Sequence, residues 1–151
     1  MKRIFLILSF AVILLTGCNK EEYFTCTIDL ENKIDEYNLS ATYKIYYKNS
    51  LVTKIEKEET YISNNEETLN YFNEFKNLEY EKLNKLYGGI TYIVEKEDEK
   101  VNLNASIDTK ELDIKKMLKD KYIDSNYVVS NRITTGGIRL MYESKGATCD
   151  M

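Results

Sequence analysis

The chemistry open to this chain is bounded first by what it lacks. Among 151 residues there is no His, no Trp and no Pro. Without His there is no Ser–His–Asp or Cys–His relay, no His-ligated zinc, and no general base of the usual kind near neutral pH. Capacity for acid–base work or ligation rests on 25 carboxylates, 13 tyrosines and three thiols. Two acidic runs stand out, Glu56-Lys57-Glu58-Glu59 and Glu95-Lys96-Glu97-Asp98-Glu99. Either could meet a hard cation, but neither has the alternating oxygen ligands and glycine of a calcium loop. The first is expected as a solvated strand face or edge and the second as a turn, with no metal and no cofactor. Two carboxylates at a suitable separation, one with a raised pKa, could cleave a glycoside. With 25 acids, some pair can always be chosen, so this pattern discriminates little. Tyrosine could form a recognition surface for sugar or protein, although Tyr43 and Tyr47 share an apolar face with Leu39 and Ile45 and read as core. Tyr46, Tyr61 and Tyr92 are harder to place. Gly136-Gly137 could cradle an anion at a helix start or simply permit a tight entry into the helix.

The three thiols are Cys18, Cys26 and Cys149, and the first has the clearest setting. Lys2 and Arg3 precede an apolar run over residues 4–15, broken only by Ser9. Its 12 residues are too few to span a bilayer but fit the apolar part of an export signal. Leu15-Thr16-Gly17-Cys18 follows: an aliphatic residue, two small ones, then the thiol. This resembles the lipobox of bacterial lipoproteins, in which the Cys receives a diacylglycerol and the signal is cut just before it. An uncleaved anchor with a coincidental Cys would leave the domain on the same side of the membrane. The expected organisation is a signal over 1–17, a short lipid-anchored tether over 18–22 and one domain over 23–151. With Cys18 lipidated, Cys26 and Cys149 remain as a disulfide candidate outside the cytoplasm. The alternative is two idle thiols. A metal pair lacks any further soft ligand.

The segment after the signal, 18–151, is 134 residues, enough for one core. It carries 19 basic against 25 acidic residues, a net of −6. With no basic cluster, that balance argues against nucleic acid and against polybasic docking on anionic lipid.

The elements that must position these groups can be read from periodicity. Phe24, Cys26, Ile28 and Leu30 alternate with polar residues, which predicts a strand with Cys26 facing the core. Residues 31–37 read as a loop. Alternation over 39–48, the turn formers Asn49-Ser50 and a return over 51–61 predict a hairpin. The charged middle of its second strand is expected to be solvent-exposed on one face or to lie at an edge. Ser63-Asn64-Asn65-Glu66 has the form of a capping box. It should open a helix bearing Leu69, Phe72 and Phe75, then Leu78, Leu83 and Leu86, with a bend or break where this stripe slips near Asn77. Gly88-Gly89 stops the helix. A second hairpin follows, with strands over 90–95 and 101–108. Asp108-Thr109-Lys110-Glu111 is expected to cap a short helix with Leu112, Ile114, Met117 and Leu118. Thr134 or Thr135 should cap a last helix with Ile138, Met141 and Tyr142 on one face, ended by Gly146. The fold class is therefore α+β: an antiparallel sheet of about five strands, two hairpins plus an N-terminal strand, covered by two to three helices.

In this order, behind the lipobox, the segments Thr25-Cys26-Thr27, Tyr87-Gly88-Gly89-Ile90-Thr91-Tyr92, the strand over 101–108 leading to Lys115-Lys116-Met117, and Glu143-Ser144-Lys145-Gly146 resemble the YehR-like small bacterial lipoproteins. That family has no agreed activity. The resemblance implies an antiparallel sheet covered by helices and brings no catalytic residues.

The functional expectation is a membrane-anchored, extracytoplasmic, non-enzymatic domain. It would be held by lipid on Cys18 and would bind an envelope protein or a small ligand, with no nucleic acid partner. The alternative is an envelope glycan hydrolase using paired carboxylates. A structural spacer is a third possibility.

Overall fold

The structure, a computed structural model, describes residues 20–33 and 36–150. The expected signal over 1–17, Cys18 and Asn19 lie outside the described residues. Strand β1 (Glu22–Asn32) begins one residue inside the expected tether. It pairs antiparallel with β2 (Tyr37–Lys48), which turns into β3 (Leu51–Ile62). Asn49 and Ser50 both take left-handed backbone, φ 52° and 60°. That is the primed turn whose twist matches a two-residue hairpin. Helix α1 (Glu66–Tyr87) follows, then the hairpin of β4 (Ile90–Glu97) and β5 (Lys100–Asp108). The rest of the chain holds α2 (Ile114–Lys119), a 3-10 turn (Ser125–Tyr127), a two-residue hairpin of β6 (Val128–Val129) and β7 (Arg132–Ile133), α3 (Thr135–Glu143) and β8 (Thr148–Cys149).

The main sheet has six strands in the order β4-β5-β3-β2-β1-β8, antiparallel throughout. The sixth strand, β8, pairs Cys26 with Cys149 and Thr27 with Thr148, and the two cysteines form a disulfide. The helices cover one face of the sheet. Phe24, Cys26, Tyr43, Ile45 and Ile55 from that face pack with Tyr87, Ile114, Met117, Ile138 and Tyr142 from the helical layer. The other face is open and polar, with Lys54 paired to Glu56 at 2.7 Å and Lys44 over the Tyr23 ring at 4.2 Å.

Four expectations need correction. The charged strand β3 is internal, lying between β2 and β5, and Glu59 is buried at 5% exposure. Its inward side has Ile55, Lys57, Glu59 and Tyr61 in register, so only Glu56 and Glu58 belong to the open face. Helix α1 runs unbroken through Asn77, for 22 residues. Its inward stripe is Leu69, Phe72, Lys76, Tyr80, Leu83 and Tyr87, which keeps a helical period; Phe75 and Leu78 point outward. The apparent slip in the apolar stripe arose because a lysine occupies an inward position. The cap of α1 is Asn65, whose side chain accepts from the Glu67 and Thr68 amides. Ser63 is instead buried and donates to the Glu36 carbonyl. The short helix α2 is capped by Asp113, whose carboxylate accepts from Lys116 N–H, while Asp108 closes a local turn onto Lys110 N–H. Thr134 caps α3, accepting from Gly137 N–H at 3.0 Å.

Two glycines are required by close approach. A Cβ on Gly89 would stand 2.7 Å from the Asp108 carbonyl oxygen, where α1 hands over to the sheet, and its φ is +68°. A Cβ on Gly137 would stand 2.4 Å from Cα of Tyr127. Gly137 thus serves the packing of α3 against the 3-10 turn, in line with the tight helix entry expected from sequence, while Gly136 meets nothing within 4 Å.

Candidate functional site

Inward-facing charges on β3 and α1 meet between the sheet and the helices. Glu59 accepts hydrogen bonds from the Tyr43 hydroxyl at 3.2 Å and the Tyr61 hydroxyl at 2.8 Å. Lys57 lies 3.3 Å from its Oε1 and Lys76 lies 3.4 Å from its Oε2. Lys76 continues to Glu79 at 3.0 Å, and Lys57 donates to the Tyr80 hydroxyl. Burial by itself would favour the neutral acid at Glu59. The charges of Lys57 and Lys76 and the Tyr61 hydroxyl outweigh it and hold the carboxyl below the usual range. Burial also opposes the charge of Lys76, but Glu59 and Glu79 win and keep it an ammonium above the ordinary lysine range. Burial, then the Glu59 charge, pushes the Tyr43, Tyr61 and Tyr80 phenols well above theirs. The arrangement therefore holds fixed charges and protonated phenols at neutral pH.

Beside this network lies a cavity of about 240 Å³. Its walls are mostly apolar and come from every layer: Ile55 and Ile107 from the sheet, Leu83 and Tyr87 from α1, Leu112 and Met117 around α2, and Ile138 and Met141 from α3. Polar groups join the lining at Lys57, Tyr80, Tyr122, Tyr142 and Lys145. Tyr122 and Lys145 are exposed and mark the side open to solvent. Although the Lys145 side chain is exposed, the cavity rim partly desolvates its ammonium, and this, then the charge of Lys57, displaces it below the ordinary lysine range. Among the described residues Lys145 makes no ion pair.

The candidates named from sequence fall differently. Cys26 and Cys149 are brought together at the sheet edge, away from the cavity lining. The first acidic run splits between the open face and the buried network. The second ends β4 and forms the β4–β5 turn, where Glu97 pairs with Lys100 at 2.9 Å. Among the described residues no group of three or more His, Cys, Asp or Glu side chains is placed to hold a metal ion. Tyr61 is buried, and Tyr92 packs beside Tyr80 with ring centroids 5.5 Å apart. Sequence reading missed Lys57, Glu59, Lys76 and Lys145 as a group. The available signal was parity: Lys57 and Glu59 share the alternation of Ile55 and Tyr61, and Lys76 lies seven residues after Leu69.

No family model matches the chain, and no curated protein matches it. Two solved structures are similar. The solution structure of Escherichia coli YehR superposes with a TM-score of 0.55 at 18% identity, covering 87% of this chain and 91% of that one. A protein from Streptococcus pneumoniae TIGR4 gives 0.52 at 14% identity, covering 89% of this chain and 88% of that one. At these identities the likeness concerns the fold, and the fold of this chain is YehR-like.

Proposed function

We propose that this chain is an extracytoplasmic, lipid-anchored, non-enzymatic domain that binds a small ligand between its sheet and its helices. The observation that carries this reading is the cavity of about 240 Å³ against the buried charge network. Ligand sites are typically concave and largely apolar, with a few placed polar groups, and this lining has that character. Of the two partners expected from sequence, a small ligand is favoured over an envelope protein for that reason. The location rests on Lys2, Arg3, the apolar run over 4–15 and Cys18. Among the described residues no helix is long and apolar enough to cross a membrane, and in this reading attachment is by lipid on Cys18.

A glycan hydrolase would need a carboxyl held protonated near neutral pH. Glu59, the buried carboxylate beside the cavity, is displaced in the opposite direction. That favours binding over acid catalysis. The test is a native mass spectrum of the protein purified from its own membranes, repeated after denaturation and after reduction. Expected are the mass of 18–151 plus lipid, two further hydrogens after reduction, and an extra mass lost on denaturation. A protein that carries no extra mass, and gains none when incubated with an extract of the same cells, would sink the small-ligand reading.

A further inference from the structure

We propose that the cavity takes a small organic acid, with an apolar body of about eight carbon atoms inside and its anionic head against Lys145. This rests on the small-ligand reading above and adds the ligand's chemistry. The size follows from the volume. A cavity of roughly 150 Å³ is known to accept benzene, and this one, at about 240 Å³, is larger by about half, room for about two further carbons beyond a six-carbon ring.

The charge follows from the groups around the polar side. Lys57, Lys76 and Lys145 supply three ammonium groups, against two carboxylates at Glu59 and Glu79; all four of the others act on Lys145. Glu59 is already matched by Lys57 and Lys76, and Glu79 by Lys76. Lys145 is therefore the positive charge left over, at the solvent side of an apolar cavity. A cationic ligand would add to that excess. A neutral one would cover Lys145 without compensating it, whereas an anionic head both pairs it and offsets Lys57. The Tyr122 hydroxyl is a donor on the same lining.

The probes are 3-phenylpropionate and its neutral isostere 3-phenylpropionamide, whose phenyl ring and two methylenes make the eight-carbon body. Each is titrated calorimetrically at pH 7 into the full chain in phospholipid nanodiscs, with empty nanodiscs subtracted. The acid is expected to bind on the order of ten-fold more tightly than the amide, as a charge-assisted contact supplies. Lys145→Gln should bring the acid to the level of the amide, and Lys145→Arg should restore the preference. Lys145 is exposed, so neither substitution disturbs the core. Equal binding of acid and amide would overturn the proposal while leaving the cavity reading intact. A preference that survives Lys145→Gln would also overturn it. If neither probe binds the unaltered protein, the proposal falls, and the small-ligand reading is then decided separately by the native mass spectrum.

Discussion

Substituting Glu59 by Gln tests whether the buried network holds the two layers together. The change keeps the shape and one acceptor for the Tyr43 and Tyr61 hydroxyls, but removes the charge facing Lys57 and Lys76. Each of those contacts, at 3.3 and 3.4 Å, is worth a gross attraction of about 5 kcal/mol at an effective dielectric near 20. Desolvation of the ions offsets much of that, and removing one partner of a buried pair costs about 3–5 kcal/mol in practice. Lys76 keeps Glu79, so the lower end, about 3 kcal/mol, is expected. With a urea slope near 2 kcal/mol/M, the midpoint should fall by about 1.5 M at pH 7 with the disulfide intact. The pH dependence carries a sign. Glu59 titrates lower in the folded chain than in the unfolded one. Its contribution is therefore present above the unfolded value, about 4.3, and disappears as pH falls through the folded value. The gap between the natural protein and Glu59→Gln should be constant from about pH 5 to 8 and shrink below about pH 4. A loss under about 1 kcal/mol at pH 7, or a gap that does not narrow in acid, would refute the claim that an ionised Glu59 clamps the sheet to α1.

Replacing Cys26 and Cys149 by Ala should lower stability by up to about 4–5 kcal/mol on the chain-entropy view, since the bond closes a span of 123 residues. Thermal unfolding with and without reductant gives the same comparison, and only the natural protein should respond. Gly137→Ala should cost roughly 1–3 kcal/mol by forcing α3 off the 3-10 turn. Gly136→Ala, which meets nothing within 4 Å, should be neutral or stabilise by up to about 1 kcal/mol; equal effects in urea titrations would contradict the close approach to Tyr127. Asn65→Ala should cost about 1 kcal/mol through the lost cap, with amide exchange rising at Glu67 and Thr68, the two donors it serves.

Local grammar made much of this fold legible. Alternation in β1, β2 and β5 set which side chains face inward, because a strand has a fixed period of two. Asn49-Ser50 marked a turn that needs left-handed backbone, Gly88-Gly89 marked the end of α1, and Thr134 marked the start of α3. The cavity and its charges were a different matter. Periodicity assigns a face only when inward residues are apolar, so Lys76 looked like a break in α1 and Lys57 and Glu59 looked like a solvated edge. Their environment was settled by a non-local pairing: β5 returns to lie beside β3, 42 residues away at Thr60 and Asn102. That pairing makes β3 internal, and α1 then closes over it with Lys76 directed at Glu59. The sequence by itself determined the order and type of the long strands and of the helices, and it carries at residues 15–18 a pattern that resembles a lipobox. Only the tertiary structure decided that charges from β3 and α1 are buried together beside an apolar cavity, because their mutual compensation exists nowhere along the chain and arises only when distant elements meet.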